Sequence, residues 1–571
     1  MTGTCPGDDG ATSGDDAAGN GTAAAKGDAA ANGETGSGAD SAIADEDSAN
    51  MAERSEAGSD RGNEGSADAA AETGDASLSD GPVDAAADGG GDTGEAESPT
   101  CNPMSTPSQD PCVIDERYGL FVSPNGNDLN VGSRVLPIKT IGHAMAVAKG
   151  SGQRVYACAG AYPESLTVGV SRDGTSVYGG FDCATWSYGA GNKAVVAPLQ
   201  AGYALDVEGL LLGVTFEDVE FDAQDANPTH AGESSVAVFV GTSLRVVFRR
   251  VVMVAGNGSA GAGGATGGTA GAPSNHFVAS GDGGAVSLNG NSATLAGGGS
   301  SATCACPGGS TSSTGGQGGA PGTPGAGTPS YGGDGGAGAA GTNMTACNVA
   351  GAAGGYGVDA PPANADVTNV SWGVLSPSGW APAAGRAGSN GPPGQGGGGG
   401  GDGELGNGAG GGGACGGCGG AGGRAGTGGG SSIALLAYQS SVALAGCTLT
   451  AHDAGNGGPG GNGEAGQPGG FGGFQFSSGC PGGGGGNGAG GNGGQGGPGG
   501  VSIGIGYSST APMVDGAYTV QAAALTGITT GKAGAGGSKG TGGPGPTPAL
   551  GPAGADGAKG KDGAAQAVLG L

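Results

Sequence analysis

A chain of 571 residues with 145 glycines, 31 prolines, 4% aromatic and 12% charged residues has too little large apolar surface for several ordinary globular domains. Its net charge of -30, with 19 Lys and Arg in all, argues against a nucleic-acid binder, because phosphate neutralisation needs clustered cations. The large apolar residues fall in three windows, 118 to 255, 431 to 451 and 501 to 528, and these must supply the core.

Residues 1–117 read as an acidic, low-complexity tether. The first hundred carry twenty-three Asp or Glu against three Lys or Arg, and their only large apolar residues are Met1, Ile43, Met51, Leu78 and Val83. That is too little buried surface to offset the entropy of ordering, so disorder is expected. The opening MTGTCPGDDG has no apolar h-region, and no run of apolar residues is long enough to span a bilayer. Cys5, followed by a long Gly/Ala/Asp linker, resembles the mature start of a bacterial lipoprotein. That resemblance implies a lipid anchor on Cys5, an extracellular or cell-surface location, and a start codon upstream of Met1. Twelve cysteines, eleven of them beyond residue 100, favour disulfides in an oxidising compartment, with Cys447 left as a free thiol inside an apolar run. Cys415-Gly-Gly-Cys418 has zinc-ligand spacing but lacks a second such pair, and Cys304-Ala-Cys306 is too close, so no metal is expected.

The folded part is expected from Tyr118. Gly119 to Val122 reads as a strand, Ile141 to Ala148 as a short helix with Ile141, Met145 and Ala148 on one face. Further strands are expected at Arg154 to Cys158, Ala161 to Val168 and Ser176 to Phe181. The run FVSPNGND, then LPIKTIGHAMAVA, VYACAGAYPESLTV and SVYGGFDCATW, resembles the opening of right-handed parallel β-helix proteins of the pectin-lyase-like superfamily. The resemblance implies an all-β solenoid with a short N-terminal capping helix, and a Cys158–Cys183 bridge between its first coils.

Physical reasoning supports the same architecture. Ser431 to Asn456 (SSIALLAYQSSVALAGCTLTAHDAGN) repeats Ser234 to Asn257 (SSVAVFVGTSLRVVFRRVVMVAGN), with weaker copies at Tyr203 to Ala223 and Val501 to Tyr507. Phe216 to Phe248 is about one repeat, and such units bury their faces only by stacking. The expected layout is 118–255 for the N-terminal part of the β-helix, 256–430 a glycine-rich insertion, and 431–454 a coil. A second insertion follows at 455–500, then a coil at 501–530 and a glycine-rich tail at 531–571. The insertions leave from one corner after Val254, Asp453 and Thr530, and resemble the glycine-rich, PGRS-like surface proteins of myxobacteria. Glycine at every third residue, as at 551, 554, 557, 560 and 563, leaves two readings open: a flexible chain, or packed left-handed helices of three residues per turn.

No catalytic signature is present, and the histidines His143, His230, His276 and His452 show no metal-ligand pairing. The weak catalytic alternative is the run Glu217, Asp218, Glu220, Asp222 and Asp225 with Arg249 and Arg250 one repeat later. With Phe216, Val219 and Phe221 facing inward, these charges are expected on a solvated outer face. The expected function is an exported or cell-surface structural or interaction protein without cofactors, whose partner is a polysaccharide or envelope matrix. The alternative is a polysaccharide lyase or glycoside hydrolase using Asp218, Asp222, Asp225 and Arg249.

Overall fold

Runs of β-branched and aromatic residues between turns form short strands that pair almost wholly in parallel. The computed structural model describes residues 101–267, 371–401, 410–473, 480–518, 526–546 and 552–571, with pieces at 287–289, 292–294, 300, 303–306 and 313–318. The chain divides into units Met1–Gly94 and Glu95–Leu571. The first unit, with most of the acidic tether and Cys5, lies outside the described residues.

After a 3-10 turn at Pro111–Val113 come β1 (Gly119–Val122) and α1 (Ile141–Ser151). The chain then visits three sheets in a fixed cycle, one strand in each. The first circuits are β2 (Arg154–Cys158), β3 (Gly160–Tyr162) and β4 (Leu166–Val168), then β5 (Val177–Phe181), β6 (Ala194–Val196) and β7 (Tyr203–Glu208). Next come β8 (Val214–Glu217), β9 (Val219–Asp222) and β10 (Ser235–Gly241), followed by β11 (Val246–Arg249) and β12 (Val252–Val254). Among its described residues the long insertion holds three antiparallel hairpins: β13 (Ser287–Asn289) with β14 (Ser292–Thr294), β15 (Thr303–Cys304) with β16 (Ser313–Thr314), and β17 (Gly373–Ser376) with β18 (Gly379–Pro382). The cycle resumes with β19 (Ser432–Tyr438), β20 (Val442–Ala445), β21 (Thr448–Thr450) and β22 (Ser502–Ser508). It ends with β23 (Met513–Val514), its hairpin partner β24 (Ala517–Tyr518), β25 (Ile528–Thr529) and β26 (Ala565–Gly570).

The internal repeat sets the register. Phe248 pairs with Phe216 on one side and Leu444 on the other, and Val238 with Leu205 and Leu435. The rings of Phe216 and Phe248 stack with centroids 5.7 Å apart. Inward residues of all three sheets share one core, which Ile141, Ala144, Met145 and Ala148 of α1 join. Glu164 anchors that helix by accepting from Ile141 N at 2.7 Å and Gly142 N at 3.0 Å. Two expectations are corrected here. Ala161 to Val168 is two strands in different sheets, because Pro163 has no N–H for the ladder and the chain turns there. The C-terminal tail is not glycine-rich to its end, since β26 pairs with β22.

Sheet 1 holds β1, β2, β5, β8, β11, β20, β23 and β24, sheet 2 holds β3, β6, β9, β12, β21 and β25, and sheet 3 holds β4, β7, β10, β19, β22 and β26. Each glycine-rich excursion leaves the end of sheet 2 and re-enters at the start of sheet 3. Among the described residues seven extended legs run out and back: 256–267, 385–400, 411–430, 455–473, 482–500, 531–543 and 552–563. Their hydrogen bonds repeat every third residue. Gly258 of the first leg donates to Asp453, just before the fourth, and Gly261, Gly264 and Gly267 donate to Asn456, Pro459 and Asn462 along it. A period of three is that of the polyproline II helix. The fifth leg touches the second, third, fourth, sixth and seventh: Gly491 N donates to Glu464 O, Asn492 N to Ser389 O and Gly493 N to Ala555 O, while Asn492 O and Gly494 O accept from Gly423 N and Gly540 N. Glycine is required here for space rather than for backbone conformation, since no leg glycine has a positive φ. A Cβ on Gly491 would sit 2.1 Å from Ala421 O, and one on Gly419 1.7 Å from Gly391 O. Of the two readings left open for the insertions, the hydrogen bonds support the packed one over the described legs.

The hairpin β17–β18 lies on the outer face of sheet 3, where Trp372, Leu375 and Trp380 pack with Tyr203, Val236, Phe239, Ile433 and Leu436. Asp206, beside Phe239 in register, has its buried Oδ1 without a hydrogen-bond partner, and burial pushes its carboxyl up to about 6. The folded carboxyl thus holds its proton well above the unfolded value of 3.8. Stability is fully present below the unfolded pKa and falls as pH rises through about 6. Asp206→Asn should therefore raise the thermal midpoint at pH 7, and the gain should vanish in melts run at or below the unfolded pKa.

Candidate functional site

The structure separates the weak catalytic candidates into two places. Asp218 and Arg249 flank the corner between sheets 1 and 2, whereas Asp222 ends β9 at the far side of sheet 2 and Asp225 lies beyond it. They do not form one site.

At the first corner, Asp218 and Arg250 both occupy the left-handed region, φ 55° and 51°, and lie side by side because Arg249 pairs with Glu217. Arg250 Nε donates to Asp218 Oδ1 at 3.0 Å, and its Nη2 donates to Asp218 Oδ2 at 2.8 Å and Glu217 Oε1 at 2.5 Å. Tyr188 OH donates to Asp218 Oδ2 at 2.6 Å, and Lys193 Nζ stands 3.8 Å from Oδ1. The hydrogen bonds from Arg250 to the two carboxylates raise its pKa, and burial with the Asp218 bond pushes the Tyr188 hydroxyl up to about 12. The solvated outer face expected for this run is corrected for its first two residues, since Glu217 is 1% and Asp218 0% exposed, whereas Asp225 is exposed and Glu220 and Asp222 are half-buried. Alternation misleads here because Phe216 and Val219, three apart, both face inward: residue 218 is the turn, outside the strand period. With Arg250 holding both carboxylates, the cluster is suited to support rather than to proton transfer.

At the far end of sheet 2, Asp222, Gln224, Asp225, Asn257 and His452 line an open hollow of about 350 Å³. A neighbouring hollow of about 480 Å³ shares Gln224 and Asp225 and adds Gln200, His230 and Glu233. Burial raises the Asp222 carboxyl, partly offset by His452. Asp225 Oδ1 accepts from Asn257 N at 2.6 Å, His452 Nδ1 donates to Ala255 O at 2.5 Å, and His230 Nδ1 is 3.5 Å from Glu233. Two histidines thus meet carboxylates that lie far from them or go unremarked in the sequence. His143 is on the exposed side of α1, and His276 lies outside the described residues.

The arrangement that sequence reasoning missed is a ladder of buried serines at the foot of the insertions. Ser235, Ser432 and Ser502, each 0% exposed, open β10, β19 and β22. Ser235 Oγ donates to Gln224 O and accepts from Gly256 N. Ser432 Oγ donates to Gly256 O and accepts from His452 N, and Ser502 Oγ donates to His452 O and accepts from Gly531 N. Each hydroxyl joins the outgoing chain of its own circuit to that of the next. The signal was present in the aligned Ser234-Ser235, Ser431-Ser432 and Val501-Ser502 pairs.

Cys158 and Cys183 are bridged, as the resemblance implied, and Cys101–Cys112 and Cys306–Cys418 are bridged as well. Cys415 is also disulfide-bonded, so the Cys415/Cys418 pair offers no thiolates to a metal. Cys447 is the free thiol among the described residues, and burial raises its pKa. No described helix is long and apolar enough to cross a membrane. No family model, curated protein or solved structure matches the chain.

Proposed function

We propose that this chain is a right-handed parallel β-helix, capped at its start by α1, that acts outside the cytoplasm as a structural or interaction protein. The observation that carries the reading is the hydrogen-bonded glycine bundle raised from one corner of a cyclic three-sheet stack, an architecture that builds a projection rather than a reaction centre. Right-handedness follows from the strong preference of parallel crossovers for that hand. The disulfides support an oxidising compartment. The resemblances to pectin-lyase-like β-helices and to PGRS-like surface proteins, and a lipid anchor at Cys5, belong to the same proposal, with envelope matrix or polysaccharide as partner.

The lyase or hydrolase alternative rests on the hollow around Asp222 and His452 and is weakened by the separation of Asp222 from Arg249. The test is to express the gene with its upstream DNA, fractionate the cells and determine the mature N-terminus by mass spectrometry. A lipidated or cleaved N-terminus in the envelope is expected; a cytoplasmic protein with reduced cysteines would sink the proposal. Turnover of an acidic polysaccharide that disappears in Asp222→Ala would instead favour the enzyme.

A further inference from the structure

The outer face of sheet 1 carries one column in register across successive circuits: Phe121, Tyr156, Tyr178, Glu217 and Arg249. Residues 101–114 lie across that column. Arg154 Nη1 donates to Ser105 O at 2.6 Å and its Nη2 to Pro103 O. Tyr156 OH donates to Val113 O at 2.6 Å, Arg134 donates to Ile114 O, and Ser108 Oγ donates to Glu217 Oε1 at 2.5 Å. Val113 is fully buried, and Ile114 packs into the cluster of Phe121, Tyr156, Tyr178, Phe181 and Trp186.

The face therefore reads main-chain carbonyls and one hydroxyl, with apolar seats at a single end. Its donors are held in place by the sheet: Arg134 lies 5.2 Å over the Phe121 ring and Arg154 5.7 Å over the Tyr178 ring. Glu217, 1% exposed, has a buried Oε2 that accepts no hydrogen bond. The covering segment is closed on itself by Cys101–Cys112, with a sequence separation of 11. Neither cysteine of that bridge is buried, whereas Cys158–Cys183 and Cys306–Cys418 each have one end, Cys158 and Cys418, at 0% exposure, the Cys183 end of the former being exposed. Exposed bridges are the ones that reductants reach.

We propose that residues 101–114 are a removable latch, and that the column beneath is a docking surface for a compact, turn-forming, carbonyl-presenting peptide that the latch occupies in cis. Release requires a dithiol reductant. One of its thiolates attacks a bridge sulfur, breaking the Cys101–Cys112 bond and forming a mixed disulfide. Its second thiolate then displaces the protein sulfur. The bridge ends as two thiols and the reductant as its own disulfide. Opening the loop restores chain entropy that the bridge had removed, and the seat is weakened accordingly.

The test uses the full chain. Carbodiimide labelling of Glu217 and nitration of Tyr156 are followed by mass spectrometry in oxidised protein, after a dithiol, and in the Cys101→Ser, Cys112→Ser double variant, which keeps the other bridges. Both groups should resist labelling in the oxidised protein and react at least about tenfold faster in the other two states. Tyr162, 1% exposed in the core, should stay unreactive throughout. A synthetic, oxidised peptide of residues 101–114 should restore protection. The latch is refuted if Glu217 and Tyr156 stay protected once alkylation shows Cys101 and Cys112 reduced, or if Tyr162 reacts along with them, which is unfolding. A peptide that leaves the labelling unchanged refutes the docking surface.

Discussion

Replacing Gly491 with valine unpacks the glycine bundle and costs about 4 kcal/mol or more, in the range reserved for gross overpacking. The reason is local and steric. The fifth leg is surrounded, and a Cβ at 491 lands 2.1 Å from Ala421 O, a backbone atom that cannot swing aside. Moving the legs apart breaks the contacts on both sides, including Gly491 N to Glu464 O and Gly543 N to Gly491 O. Ala535→Val, at an exposed position of the sixth leg, should change stability by under about 0.5 kcal/mol. Amide exchange across the legs, compared between the two variants, checks this. Equal protection of residues 482–500 in both would show that the legs are not close-packed.

Arg250→Ala should cost about 3–5 kcal/mol, because it leaves two buried carboxylates facing one another with only the longer contacts from Lys193 and the half-exposed Arg249 to offset them. Arg249→Ala, by contrast, removes a guanidinium that is 43% exposed and 3.7 Å from Glu217, and should cost under about 1 kcal/mol. Urea midpoints for the two variants separate a buried support from a surface pair; similar losses would contradict the geometry. Both mutants should retain the glycine-leg protection pattern, since the corner between sheets 1 and 2 lies away from the insertions.

Stacking was legible in the sequence because identical side-chain environments recur: Ser235 over Ser432 over Ser502, and Phe216 beside Phe248. The corners were not legible. A single left-handed residue such as Asp218 or Arg250 breaks the two-residue period without glycine or proline to announce it. Pro163 did announce a turn, but a proline also fits an edge strand, and the strand on either side was read as one. The seat of residues 101–114 was hidden for another reason. It is made by main-chain carbonyls, which carry no residue identity, so the folded part reaches further toward the N-terminus than Tyr118.

The bundle also records, in glycine spacing, how many neighbours each leg has. The enclosed fifth leg has glycine at two of three positions, as at Gly490-Gly491 and Gly493-Gly494, while the peripheral seventh leg has it at one, Gly554, Gly557 and Gly560. Adding one or two residues to a leg would rotate Asn492 or Gln495 into a face that has no room for a side chain. Growth is therefore quantised. Whole triplets alone are neutral, an outgoing leg must lengthen with its returning partner, and each matched pair of triplets extends the bundle by about 9.3 Å. The serines at the foot hold both ends of the first two excursions and the outgoing end of the third, so evolution can lengthen the legs without altering the register of the sheets.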